Sequence, residues 1–394
     1  MRLIIVLVTA LLSMVSHAAS TWSEVEQQAK GQTVYFNAWA GADNINAYIR
    51  WAGEQVEQRY GVKLEHVKIN DTANVVSRIL AEKVSGRTNG GSVDLMWVNG
   101  ENFRALKEAK LLYGPYSQHL PNMALTDENN PALLYDFTLP VDGYESPWGG
   151  AQLTFYHDSK RLPQAPKSMA KLLSYLEKQP GLFTYPAPPS FYGATFIKQA
   201  LLETISDSEQ LYQPVNKQTF DKVTAGLWAY LDKLHPLMWR RGQSFPSGSG
   251  QMQQLLNDGE LSIAFSFNPN DPAAAIEQGL LPDSVRSYVH QSGTVGNTHF
   301  LAIPFNSDSS AAAMVVANFM LSPEAQARKA DLAYWGDPTV LALDKLSNEQ
   351  QQLFAKQQGN SASLSAADRA NVRGEPHATW VALLEAEWLR RYSR

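Results

Sequence analysis

Residues 33–61 read TVYFNAWAGADNINAYIRWAGEQVEQRYG, and their pattern decides the fold class. Residues 33–38 form a short apolar run rich in β-formers, which predicts a strand. The turn Trp39-Ala40-Gly41-Ala42 follows, with Asp43-Asn44 as N-cap candidates. Ile45, Ile49, Ala52 and Val56 then recur at helical spacing, Tyr60 lies on the same side, and Gly61 is a natural stop. The motif repeats outward. Residues 62–67 alternate like a strand, and Asp71-Thr72 opens a helix carrying Val75, Val76, Ile79, Leu80 and Val84 that stops at Gly86. Residues 93–98 (VDLMWV) predict a third strand, and 99–102 open a third helix through Phe103, Leu106 and Ala109. Strand–helix repeated three times with short connections predicts an α/β fold with a parallel sheet and helices on both faces.

A second α/β unit lies further on. Residues 182–185 predict a strand, 186–190 a loop and 191–203 a helix. Residues 218–242 read as helical and 249–259 as a short helix. Residues 261–267 (LSIAFSF) predict a strand, 268–271 a loop, and Pro272 suits a first helical turn. Two extended runs look like crossings between the units: 147–151 (PWGGA) leading into 152–156, and 296–298 leading into 299–304 (HFLAIP). Residues 311–330 predict a strongly apolar helix. The tail, 348–394, is mainly helical and polar, with Trp380, Leu383, Leu384 and Trp388 on one side.

Length and composition narrow the function. At 394 residues the chain is too long for one ordinary core. Its net charge of −5 excludes a strongly basic surface, so nucleic acid is not an expected partner. The absence of cysteine excludes disulfides, cysteine nucleophiles, thiolate metal sites and a lipid-anchored cysteine. Met1-Arg2, the apolar run 3–15 and Ser16-His17-Ala18 read as a secretory signal peptide, residues 1–18, cleaved after Ala18. The run is shorter than the roughly 20 residues that span a bilayer. Export without a lipid anchor points to a Gram-negative periplasm.

Catalytic patterns are poor. There is no GxSxG, HExxH, P-loop or GxGxxG. Ser168-Met169-Ala170-Lys171 has SxxK spacing without its partner motifs, and the histidines never cluster. No catalytic residue, metal site or cofactor is expected. In an open parallel sheet, ligands sit beyond the carboxyl ends of the strands, beside unpaired first-turn N–H groups. The loops there are 39–44, 99–102, 186–193 and 268–271, rich in Trp, Tyr, Asn, Gly and acids. Each alone is ordinary turn and capping chemistry. Converging on one crevice, they make an aromatic wall with a few hydrogen-bonding groups, as small-molecule sites require.

Five further stretches complete the pattern. SGRTNGGSVDLMWVNGENFRALKEAKLL (85–112), PWGGAQLTFYHDSKRLPQAPKSMAKLL (147–173), LLNDGELSIAFSFNP (255–269), THFLAIPFNSDSSAAAMVVANFMLSPEAQ (298–326) and GEPHATWVALLEAEW (374–388) occur in this order. Their order and spacing resemble the solute-binding proteins of ABC importers, in the family whose members bind maltose, polyamines, thiamine, iron or sulfate, and in its YnjB-like branch. The resemblance implies a two-lobed periplasmic-binding-protein fold, each lobe a mainly parallel sheet flanked by helices. It places one lobe at 31–147 plus 302–335, the other at 151–297 plus 336–394, and the hinge crossings near 147–151 and 296–301. It implies a monomeric periplasmic receptor that closes on a small-molecule ligand and delivers it to an inner-membrane ABC permease. A periplasmic hydrolase on the same fold is the alternative.

The same resemblance assigns ligand-binding roles. Trp39, Trp148, Tyr192 and Trp335 would stack on the ligand. Asn99, Asn268 and Asn270 would orient its polar edges, and Glu101, with Asp43 or Asp337, would neutralise a cation. The strand-end loops hold almost no Lys or Arg, Arg104 being the nearest. A thiamine- or polyamine-type cation is the leading ligand class, with a sugar or polyol second.

Overall fold

The computed structural model describes residues 21–40, 42–355 and 359–393. The signal peptide, its cleavage after Ala18 and Gly41 of the first turn lie outside the described residues. Among the described residues, no helix is long and apolar enough to cross a membrane.

The opening stretch folds as its pattern requires. Strand Thr33–Trp39 leads into helix Asp43–Tyr60, which buries Ile45, Tyr48, Ile49, Ala52 and Val56. Gly61 ends it at φ 65°, a left-handed conformation natural to glycine, and its N–H donates to the Glu57 carbonyl. Asp71 caps helix Thr72–Val84 by accepting from the Ala73 N–H at 2.8 Å. The buried stripe of that helix is narrower than its sequence suggests. Val75 and Ile79 are buried, whereas Leu80 and Val84 face solvent.

Strands Thr33–Trp39, Lys63–Ile69 and Leu95–Val98 run parallel. The long strand Thr294–Ala302 joins this sheet antiparallel to Leu95–Val98 and pairs on its other edge with Glu145–Gln152, also antiparallel. The two sequence crossings thus lie side by side as one ladder, with Gly150 opposite Thr298 and Ala151 opposite Asn297. The second sheet departs from expectation. Its strands Ile263–Ser266 and Val285–Tyr288 both run antiparallel to the central Thr154–Asp158. Residues 182–185 are extended without being a strand, bonding the chain at Trp239 and Ser262. An apolar run records that a segment is buried; strand direction follows from the connections, and here no short crossover helix joins the paired strands.

Two separate hydrophobic cores correspond to two lobes. One packs Phe36, Tyr48, Ile49, Trp148, Leu301 and Val316, and a flanking cluster beneath the same sheet contains Val75, Phe103 and Phe300. The other gathers Phe155, Phe183, Tyr185, Phe196, Phe265 and, from the tail, Trp380, Leu384 and Trp388. Leu341, Leu346 and Phe354 pack instead on Ala327 and Leu125, beside the first core. The apolar stretch 311–330 divides into helices Ser310–Met320 and Pro323–Ala330, because the Ser322 hydroxyl accepts from the Ala325 N–H and Pro323 starts a new first turn.

Candidate functional site

The carboxyl end of Leu95–Val98 delivers Asn99 and Glu101, both half-buried, to the seam between the lobes. Gly100 opens the following helix at φ 59°, and its N–H donates to Asp136 Oδ2 at 2.6 Å. A Cβ at residue 100 would lie 2.7 Å from the Phe137 ring, so only glycine admits that ring. Phe137 and Thr138 form the tip of a small hairpin in which Tyr135 pairs with Pro140 and Asp136 with Leu139. Both tip residues have positive φ, 44° and 72°, a turn that normally selects Gly or Asn.

The second lobe meets this tip with helix Phe191–Thr204. Lys198, 2% exposed, lies with its Nζ 4.6 Å from the Phe137 ring centroid and 2.6 Å from Glu375 Oε2. Glu375 Oε1 accepts from Asn297 on the second crossing. Asp136 and Glu385 also feel the charge of this ammonium. Burial, with Glu101 and Glu375 adding to it, holds the Asp136 carboxyl well above its ordinary range. Burial and Asp136 do the same to Glu145, whose carboxylate oxygens find no hydrogen-bond partner among the described residues. Glu375 is also raised by burial, against the pull of Lys198. Burial, then Glu101, pushes Glu385 up to about 7.

A second group lies along the same helix. Tyr192, half-buried, is pushed up to about 12 by burial and by Asp271. Asp271 is itself pushed up to about 6, by burial first, and accepts a hydrogen bond from Ser266. Asn268 Oδ1 accepts from the Asn270 N–H at 2.9 Å, and its Nδ2 is buried without a partner among the described residues. Asn270 Nδ2 donates to the Gly336 carbonyl at 2.7 Å. Phe191, 39% exposed, joins the two groups through Phe267, 5.0 Å away edge-to-face.

The structure therefore brings Asn99 and Glu101 to one part of the seam and Tyr192, Asn268 and Asn270 to another. Trp39 is half-buried at its strand end, and Asp43 is exposed at the start of its helix. Trp148 and Trp335 are elsewhere. They sit in an aromatic cluster inside the first core, 5.3 Å apart and joined by Trp97, Tyr48 and His299. Trp148 is 0% and Trp335 3% exposed, so neither offers a stacking face in this conformation. Asp337 lies beside that cluster, held by His299 and Lys329. Sequence reasoning missed Asp136, Phe137, Lys198, Asp271, Glu375 and Glu385, and so understated both the acids and the cations. The one signal for Lys198 was a lone cation in the mostly apolar helix FYGATFIKQALLET.

The arrangement is an acidic, aromatic-lined seam between two lobes. It can desolvate a cation and balance its charge, while the aromatic faces cover its apolar part. The model of the bacterial extracellular solute-binding protein family matches residues 51–355. Protein YnjB of Escherichia coli (strain K12) is 46% identical over 97% of this chain and 96% of its own. The Tp0655 (TpPotD) lipoprotein of Treponema pallidum superposes with a TM-score of 0.66 at 14% identity, over 91% of this chain and 98% of that one. A candidate spermidine/putrescine ABC transporter from Listeria monocytogenes gives a TM-score of 0.62 at 15% identity, over 91% and 99%.

Proposed function

We propose, from the premise that this chain belongs to the bacterial extracellular solute-binding proteins, that it is the periplasmic receptor of an ABC-type importer for a small organic cation. As a member of a solute-binding family it is a receptor and not an enzyme. The observation that carries the cation is the seam itself: Asp136, Glu375 and Glu385 share the ammonium of Lys198, and Glu101 adds a further negative charge beside them. The TpPotD and Listeria structures share the fold, and the name of the latter, which refers to spermidine and putrescine, agrees with a cationic solute.

The mechanism follows from the two cores. The lobes divide at the paired crossings 147–151 and 296–301, and the ladder between them is the hinge. A ligand that contacts both lobes binds the closed form better and shifts the population toward it. The closed form then docks, as a monomer, on a permease in the inner membrane. Glu101 and Glu385 balance the ligand's charge from opposite lobes, and Trp39, Phe191 and Tyr192 cover its apolar part.

Mass spectrometry of small molecules released from the purified protein, followed by thermal-shift titration with putrescine, spermidine, thiamine and glucose, tests the proposal. A bound cation should stabilise the fold by about 2.7 kcal/mol at one hundred times its dissociation constant. Glu101→Gln and Glu385→Gln should each weaken it. Stabilisation by glucose alone, or cation binding unchanged in both variants, refutes the cation reading.

A further inference from the structure

We infer that a second subsite, built on Arg328, takes the oxyanion of a small solute, a carboxylate or a phosphate. The Arg328 guanidinium lies over two aromatic rings, 4.5 Å from the Trp51 centroid and 3.8 Å from that of Tyr334. Contact with two rings restricts the guanidinium plane and leaves its in-plane N–H donors for hydrogen bonding. Those donors have no protein acceptor among the described residues. Arg328 makes no ion pair there, and its buried Nε has no hydrogen-bond partner.

Arg328 lines a pocket of about 250 Å³ together with Asn44, Tyr48, Gln278 and Tyr334. Asn44 and Tyr48 come from a helix of the first lobe, and Gln278 follows helix Asp271–Glu277 of the second. The Tyr48 hydroxyl already donates to the Ala325 carbonyl, which leaves the Asn44 and Gln278 amides as the adaptable groups around the guanidinium. A guanidinium held this rigidly without a carboxylate is complementary to a planar or tetrahedral oxyanion, which it can bind through two parallel hydrogen bonds. Because the pocket straddles the lobes, an oxyanion bound there also bears on their relative position. The subsite goes beyond the proposed capture of a cation and does not depend on the acids around Lys198.

Isothermal titration and thermal shift with inorganic phosphate, acetate and succinate as probes test this. Saturable binding by the unmodified protein is expected, with Arg328→Gln weakening it roughly tenfold to a hundredfold, the loss of a charge-assisted pair. Arg328→Lys should recover only part, since it keeps the charge but not the fork or the stack. Asn44→Asp, which sets a negative charge in the lining at a helix start that accepts one, should abolish binding in a folded protein. Preference for phosphate over succinate assigns a phosphorylated solute, and the reverse a carboxylate. Failure of all three probes to shift the unmodified protein, or equal binding by Arg328→Gln or Asn44→Asp, overturns the inference. The diamine titrations of Glu101→Gln and Glu385→Gln read the other site, so the two proposals fail separately.

Discussion

Replacing Lys329 by Met should destabilise the protein by about 3–5 kcal/mol, the penalty for leaving a buried charge without its partner. Lys329 is fully buried, and its Nζ donates to the Asp337 carboxylate and to the Pro338 carbonyl at 2.9 Å. The carboxylate, 3% exposed, has one other close side-chain partner, the His299 ring, with Nε2 at 3.2 Å on the second crossing. Burial alone would raise the Asp337 pKa, but His299 and Lys329 outweigh it and hold it below the ordinary value. Burial lowers the Lys329 pKa, against the pull of Asp337. The ion pair is thus maintained by mutual dependence. For a chain of this length, 3–5 kcal/mol corresponds to a fall in Tm of about 4–6 °C. Asp337→Asn alone should also be costly, whereas Lys329→Met with Asp337→Asn removes both charges and should lose less than the sum of the single losses, by at least about 2 kcal/mol. Urea unfolding of the four proteins measures this cycle. A Lys329→Met loss under about 1 kcal/mol, or additivity of the two changes, refutes the reasoning.

Gly149→Ala should perturb the same cluster, because a Cβ there would lie 1.9 Å from Asp337 Oδ2 and 2.3 Å from His299 Nε2; a melting temperature equal to that of the parent would contradict this. Thr138→Gly should stabilise by about 1 kcal/mol, relieving a left-handed backbone at φ 72°, as read by the urea midpoint. Lys198→Met should cost about 3–5 kcal/mol, because Glu375 is then buried without its cation; combining it with Glu375→Leu should recover most of the loss. Glu385, pushed up to about 7, and Asp271, pushed up to about 6, take up protons in the folded state above their unfolded pKa values. Lowering the pH from 8 toward 5 therefore favours the fold through these groups. The same protonation removes negative charge and should weaken putrescine binding. Calorimetric affinities that rise as the pH falls would exclude Glu385 and Asp271 from the site.

Much of the fold was legible because its signals are local. Asp71 and Gly61 mark helix ends by capping chemistry that needs only neighbouring residues. The break at Ser322-Pro323 was equally local, yet the surrounding apolar run concealed it. The strand-end rule named Asn99, Glu101, Tyr192 and Asn268, all of them half-buried in the structure. Trp148, expected at the first crossing, and Trp335, expected in the turn after the apolar helix, are buried instead, since a tryptophan beside a crossing can turn inward as readily as outward. Asp136 and Phe137 lie in a hairpin whose tip breaks the usual turn preference, so no residue pattern announced it.

The amino-acid sequence alone determined the alternation of strands and helices, the acidic balance and the absence of thiol chemistry, because periodicity, charge and residue type are properties of the chain itself. Only the tertiary structure decided that the second sheet is antiparallel, that Lys198 meets Glu375, and that Arg328 stacks on two rings without an acceptor among the described residues. A hydrophobic period records which face of an element is buried but not what buries it. Pairing of distant charges and the sign of a cleft arise from contacts that no local stretch of sequence contains.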